Sequence, residues 1–211
     1  MPRPGPSDVL LVVDVQIDFC PTGALAVPEG DAVVAPINRL AGRFDHILLT
    51  QDWHPANHLS FASQHPGKAP FDSVALDYGP QVLWPDHCVQ GTSGAALHED
   101  LALPRAELII RKGYRRDVDS YSAFCEADGR TPTGLAGYLR ERELTGVYLV
   151  GLATDFCVQY SALDARRFGF GAIVIEDCCR AIDLGGSLGR AWEAMTASGV
   201  ERCKSGEILS P

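Results

Sequence analysis

Val147-Tyr-Leu-Val-Gly-Leu-Ala-Thr-Asp-Phe-Cys157-Val158 runs from a short apolar segment through a glycine into residues whose apolar positions, Val158, Ala162 and Ala165, recur at helical spacing. The pattern predicts a buried strand, a tight turn and a helix. Cys157 then falls in the first helical turn, where Thr154 or Asp155 would serve as N-cap and the free amides and helix dipole would favour a thiolate. Two roles are open to such a residue: a nucleophile, or a small buried apolar side chain.

Working outward, further short Leu/Ile/Val runs predict strands at 8–13, 46–50, 107–111, 172–175 and, more weakly, 200–203, beside the one at 147–150. Continuous apolar runs suit strands covered on both faces, and the amphipathic stretches at 31–44, 133–144, 155–168 and 187–198 suit the crossover helices of a parallel sheet. The fold expected is α/β, with a three-layer α/β/α arrangement. At 211 residues, with no internal linker, a single domain spanning 1–211 is the economical count. Residues 1–7, rich in Pro, are expected to form a flexible extension. Between 52 and 104 lies a long stretch rich in Pro, Gly, His and aromatics, and loops of that length within a domain are commonly functional.

A net charge of −9 argues against nucleic acid as a partner, since a phosphate backbone calls for a basic face. No apolar run approaches the roughly 20 residues needed to span a bilayer, and the N-terminus lacks the apolar core of a signal peptide, so a cytoplasmic location is expected, with no membrane partner. Seven cysteines, with no CxxC pair, fit a reducing compartment, and Cys178-Cys179 reads as packing.

The polar residues at the strand ends carry the chemistry. Asp14 ends the first strand, Asp52 follows the second, Lys112 ends the third and Cys157 follows the fourth. In open parallel sheets that edge is where ligands bind. An amide carbon is a poor electrophile, and its cleavage needs a strong nucleophile, a proton carrier and donors for the developing oxyanion. Cys157 supplies the sulfur, Asp14 takes and returns its proton, and Lys112 favours the charged forms of both. The backbone amides of Ala153 and Cys157 are the candidate oxyanion hole.

A second constellation lies in the long loop. Asp52-Trp53-His54 sets a carboxylate and an imidazole on one side of a locally extended chain, and His87 could complete a shell of one oxygen and two nitrogen ligands. Such a set suits one divalent transition metal, zinc, iron or manganese, and the mixed oxygen and nitrogen donors do not choose among them. His58, Ser60 and His65 are nearby alternatives or additions, and a polar loop whose histidines bond to backbone is the competing reading.

Taken together, Asp14-Val-Gln-Ile-Asp-Phe19, Gln51-Asp-Trp-His-Pro-Ala-Asn-His58, Trp84-Pro-Asp-His-Cys-Val-Gln-Gly91, Arg111-Lys-Gly113 and Gly151-Leu-Ala-Thr-Asp-Phe-Cys157 resemble the nicotinamidase/pyrazinamidases of the isochorismatase-like cysteine hydrolase superfamily. That resemblance implies a six-stranded parallel sheet and hydrolysis of nicotinamide, or of a related aryl amide, to the acid and ammonia. It implies Asp14, Lys112 and Cys157 as the catalytic triad and Asp52, His54 and His87 as metal ligands, with Ser60 as a further, water-mediated one. It also implies a ring sandwich of Phe19 and Trp84 and a cis peptide at Leu152-Ala153. Leu152 and Tyr121 are further candidates for the pocket wall, and a homo-oligomer is a further expectation. Ile17 and Leu59 depart from the family pattern, and leave the preference among aryl amides open. A metal-free hydrolase of the same superfamily and a non-catalytic binder of small aromatics are the rival readings.

Overall fold

A computed structural model describes residues 4–210. Eight strands follow in chain order: β1 (Asp8–Val13), β2 (His46–Asp52), β3 (Ser73–Leu76), β4 (Gly79–Val82), β5 (Leu108–Lys112), β6 (Gly146–Leu152), β7 (Gly171–Arg180) and β8 (Glu201–Cys203). Six of them form one sheet in the order β5-β2-β1-β6-β7-β8, parallel throughout. The three-layer expectation and all six expected strands are present. β1 lies at the centre, with β2 on one side and β6 on the other, so the connections turn in opposite directions from it and leave a crevice at the carboxyl edge.

The apolar runs are continuous because both faces of the sheet are covered. Leu10 and Val12 point to one side, where they join Ile37 and Leu40 of α1 (Val34–Ala41) and Ile208 of α5 (Ser205–Leu209). Val9, Leu11 and Val13 point to the other and meet Leu135 and Leu139 of α2 (Leu135–Glu141), Ala162 and Ala165 of α3 (Gln159–Arg167), and Ala191 and Met195 of α4 (Ser187–Ala197). This alternation within one strand is the period-2 geometry of an extended chain.

Three expectations need correction. The helix expected at 31–44 begins as a 3-10 turn, Gly30–Val33, before α1. The helix expected at 155–168 begins as a π-helical turn, Thr154–Val158, before α3. The long loop is not wholly irregular, since β3 and β4 pair as an antiparallel hairpin apart from the main sheet; its strands are four residues each and half-exposed, too short and too mixed in sequence to give a clear period. Of the expected N-terminal extension, residues 1–3 lie outside the described residues. The Gly5 carbonyl accepts from Asp8 N–H, the Ser7 carbonyl accepts from Thr145 N–H, and Gly5 N–H donates to the Asp8 carboxylate. No helix among the described residues is long and apolar enough to cross a membrane. All seven cysteines are buried and free, including Cys178 and Cys179.

Candidate active site

Each proposed polar group sits where a strand runs out. Asp14 follows β1 at φ 47°, a left-handed conformation that Asp tolerates better than most residues. Lys112 closes β5, Asp52 closes β2, and the parallel register sets Asp52 directly beside Lys112. Cys157 lies in the π-helical turn after β6, a kind of turn that recurs at functional sites.

These groups converge on the Lys112 ammonium. Lys112 Nζ lies 2.7 Å from Asp14 Oδ2 and 2.6 Å from Asp52 Oδ1. It also donates to the Ser120 carbonyl at 3.0 Å and lies 3.2 Å from Cys157 Sγ. The other oxygen of Asp14 accepts from the Thr50 hydroxyl at 2.5 Å, and that hydroxyl accepts from the Asp14 amide. All four groups are buried: Asp14 is 0%, Lys112 1%, Asp52 4% and Cys157 6% exposed, so their charges act on one another through protein rather than water.

One ammonium among two carboxylates decides the protonation. Burial favours the neutral forms, but the attraction of Asp14, Asp52 and Cys157 outweighs it at Lys112, whose pKa is held well above the usual lysine range. Burial would likewise raise Asp52, yet Lys112 and His54 hold its carboxyl well below the usual range. Asp14 is raised, by burial first and by Asp52, against the pull of Lys112. The expected lowering of the Cys157 thiol is corrected. Burial pushes it well above its usual value, and Asp14 and Asp52 add to that push, while Lys112 opposes it. A thiolate here would be a third negative charge beside one positive charge, which favours the protonated sulfur.

The N-cap expectation is also corrected, since no side chain caps the turn at Cys157. The Asp155 carboxylate instead accepts from the amides of Ile182 and Asp183 and from the Ser187 hydroxyl, fastening the segment between β7 and α4 against the turn. The Leu152–Ala153 peptide is cis. The amides of Phe156 and Val158 both donate to the Ala153 carbonyl, so neither faces the sulfur's side of the turn as a free donor.

The metal-ligand candidates meet on the far side of Asp52. Asp52 Oδ2 lies 3.3 Å from His54 Nε2 and 3.6 Å from His87 Nε2, and one ligand atom from each residue falls within 4.8 Å of the others. The remaining ring nitrogens face backbone carbonyls, His54 Nδ1 toward Gly113 at 2.8 Å and His87 Nδ1 toward Pro85 at 2.8 Å. A carbonyl only accepts, so each Nδ1 carries hydrogen and each Nε2 presents its lone pair to the common point. With Asp52 Oδ1 taken by Lys112, Oδ2 is the carboxylate oxygen left for an ion. A borderline divalent cation fits this donor set. Without one, burial pulls the His54 pKa down but the Asp52 carboxylate pulls harder and leaves it raised.

The Ser60 hydroxyl, the candidate for a further, water-mediated ligand, lies 2.7 Å from His58 Nδ1. His58 packs on His54 with ring centroids 4.4 Å apart, and with His54 and Asp119 it forms a second close group of ligand atoms. His65 turns away to the Leu59 carbonyl.

Between the two constellations opens a cleft with about 330 Å³ of space between atoms, part of it open to solvent. Phe19, Trp84, Tyr121 and Ala153 line it, together with His54, His87 and Cys157. Leu152 does not. It is fully buried in the core beneath the turn. The Trp84 indole N–H donates to the Tyr121 hydroxyl at 2.9 Å, which fixes the two rings edge to face.

The isochorismatase domain model matches residues 8–205. The chain belongs to the isochorismatase-domain family. It is 60% identical over 200 residues to the nicotinamidase of Acinetobacter baylyi, covering 95% of this chain and 94% of that relative. Among solved structures, the nicotinamidase/pyrazinamidase of Acinetobacter baumannii superposes with a TM-score of 0.96 at 56% identity, covering 97% of this chain and 99% of that one. The pyrazinamidase of Pyrococcus horikoshii in complex with zinc superposes with a TM-score of 0.77 at 36% identity, covering 94% and 99%.

In this isochorismatase-domain chain, four pocket residues escaped the reading of the sequence. Phe156 packs on Trp84 at 4.9 Å, and Leu25, Asp119 and Ile182 complete the lining. Phe156 sits between two residues already singled out, and its place next to Cys157 was the available signal. Asp119 stands two residues before Tyr121, and that closeness was its signal. Leu25 and Ile182 reach the cleft only through the path of their loops, which no local pattern encodes.

Proposed function

We propose that this chain, acting as one domain, is an amidohydrolase that converts nicotinamide, and related pyridine or pyrazine carboxamides, to the acid and ammonia. The observation that carries the reading is the Lys112 ammonium within 2.7 Å of Asp14, 2.6 Å of Asp52 and 3.2 Å of Cys157 at the base of an aromatic-walled cleft. The identity to curated nicotinamidases supports the substrate.

Phe19, Trp84, Tyr121 and Phe156 bind the planar ring and exclude water from it. Asp52, His54 and His87 would hold one divalent transition metal, as the donor set allows, and likeness to the zinc-bound relative favours zinc. Such an ion supplies a Lewis acid for the ring nitrogen and a positive charge that offsets the acidic surroundings of Cys157.

Cys157 Sγ attacks the carboxamide carbon as its proton passes to Asp14, and the amides of Ala153 and Cys157 receive the developing negative charge on oxygen. Asp14 then gives the proton to the departing amino group, so that ammonia leaves and a thioester joins the acyl group to Cys157. Asp14 next takes a proton from water, whose oxygen attacks the thioester carbon. The sulfur regains the proton, and the carboxylic acid departs. Lys112 keeps its charge throughout and orients both carboxylates.

The test is ammonia release from nicotinamide by the purified protein, with Cys157→Ala beside it and bound metal measured on both. The expected result is release that is lost in the variant, with about one metal ion per chain in each. Substantial release by Cys157→Ala would overturn the nucleophile; metal content without release from any aryl amide would overturn the substrate.

A further inference from the structure

Gln16, two residues beyond Asp14, is fully buried and takes no part in the steps above. Its carboxamide meets both backbone polar atoms of Asp52: Oε1 accepts from the Asp52 amide at 2.7 Å, and Nε2 donates to the Asp52 carbonyl at 2.8 Å. The second Nε2 hydrogen goes to the Ala95 carbonyl at 2.9 Å. Two hydrogens meet two carbonyls and one oxygen meets one amide, so the orientation of the side chain is fixed. A flipped amide would face oxygen to oxygen and N–H to N–H.

The side chain therefore continues the pairing of β1 with β2 beyond the point where the strands themselves stop pairing, which in β1 is Val12 opposite Leu49. Asp52 has one carboxylate oxygen for Lys112 and the other for the histidine pair. A rotation of its backbone by a fraction of an ångström would move both at once. Gln51 provides a contrast, since its Nε2 donates to the same Ala95 carbonyl at 2.8 Å but makes no bond to Asp52.

We propose that Gln16 is a positioning residue for the ion site, holding the Asp52 main chain so that Oδ2 is aimed at the point shared with His54 and His87. The inference rests on the proposed metal site but not on the proposed substrate. Outer partners that orient a ligand are commonly worth 10- to 100-fold in metal affinity.

Gln16→Met keeps the length of the side chain and removes all three bonds; Gln16→Glu keeps the acceptor and sets oxygen against the two carbonyls. Zinc affinity by competition with a chromophoric chelator, and the visible spectrum of the cobalt-loaded protein, are read on both variants and on Gln51→Met. The expected result is a loss of about 10- to 100-fold in zinc affinity and a shifted cobalt band in both Gln16 variants, with Gln51→Met lowering the melting temperature but leaving both readouts as in the wild type. Wild-type affinity and an unshifted band in a folded Gln16 variant would overturn the proposal. So would an equal loss in Gln51→Met, or failure of both Gln16 variants to fold, since either would assign Gln16 to general stability. A wild-type protein that binds no zinc would overturn it whatever its amidase activity, whereas a protein that binds zinc but releases no ammonia would overturn the substrate alone.

Discussion

Lys112 is the residue on which the proposed chemistry and the stability of the site meet. Its ammonium compensates two buried carboxylates at 2.6 and 2.7 Å, and removing it would leave both without a counter-charge. Breaking a buried ion pair by deleting one partner typically costs about 3–5 kcal/mol. Lys112→Met is therefore expected to lower the unfolding free energy of chelator-treated protein by that order, read from the urea midpoint. A loss below about 1 kcal/mol would mean that the two aspartates are already neutral in the native state. The residue types themselves were legible in the sequence because each stands at the end of an apolar run. The thiol's proton was not, because position on a helix suggests a thiolate, whereas the balance of three neighbouring charges depends on distances that only the folded chain supplies.

At the scale of elements, the turn after β6 decides where the nucleophile stands. Gly151 lies at φ 110°, and a Cβ built on it would approach the Val13 carbonyl oxygen to 2.1 Å. No other residue takes up that conformation without strain, and the neighbouring strand cannot retreat because it is the centre of the sheet. Gly151→Ala is expected to destabilise the chain by more than about 1 kcal/mol and to displace Cys157, lowering kcat more than it raises KM. Thermal melts and steady-state kinetics check both effects, and wild-type values for each would show that β1 and β6 can part at this point. Element type was readable from apolar periodicity, since all six sheet strands are where the runs predict. What escaped were the 3-10 and π-helical first turns, which share the hydrophobic pattern of an α-helix, and the short hairpin, whose residues pack too loosely to leave a period.

The molecule as a whole carries a charge of −9, and acid is expected to unfold it where its carboxylates are held by partners. Glu107, beside the edge strand β5, is bound by the Tyr138 hydroxyl of α2 at 2.7 Å and by His46 of β2 at 2.7 Å. Burial raises its pKa, but Tyr138 and His46 outweigh burial and hold it below the ordinary 4.5. A lowered carboxyl contributes stability above the unfolded value and loses it as pH falls through the folded one. The wild type should therefore lose more stability than Glu107→Gln below about pH 4.5, with the variant weaker at neutral pH. Parallel curves in urea denaturation at a series of pH values would remove Glu107 from the account.

The order of strands has one more consequence, concerning how the chain is made. β5, β2 and β1 form one half of the sheet and β6, β7 and β8 the other, joined only along β1 and β6. Asp14, Lys112 and the three proposed ion ligands all belong to the first half, and Cys157 to the second. On a ribosome the segment carrying the proposed ion ligands emerges before Cys157, so the proposed site cannot be assembled until the seam closes.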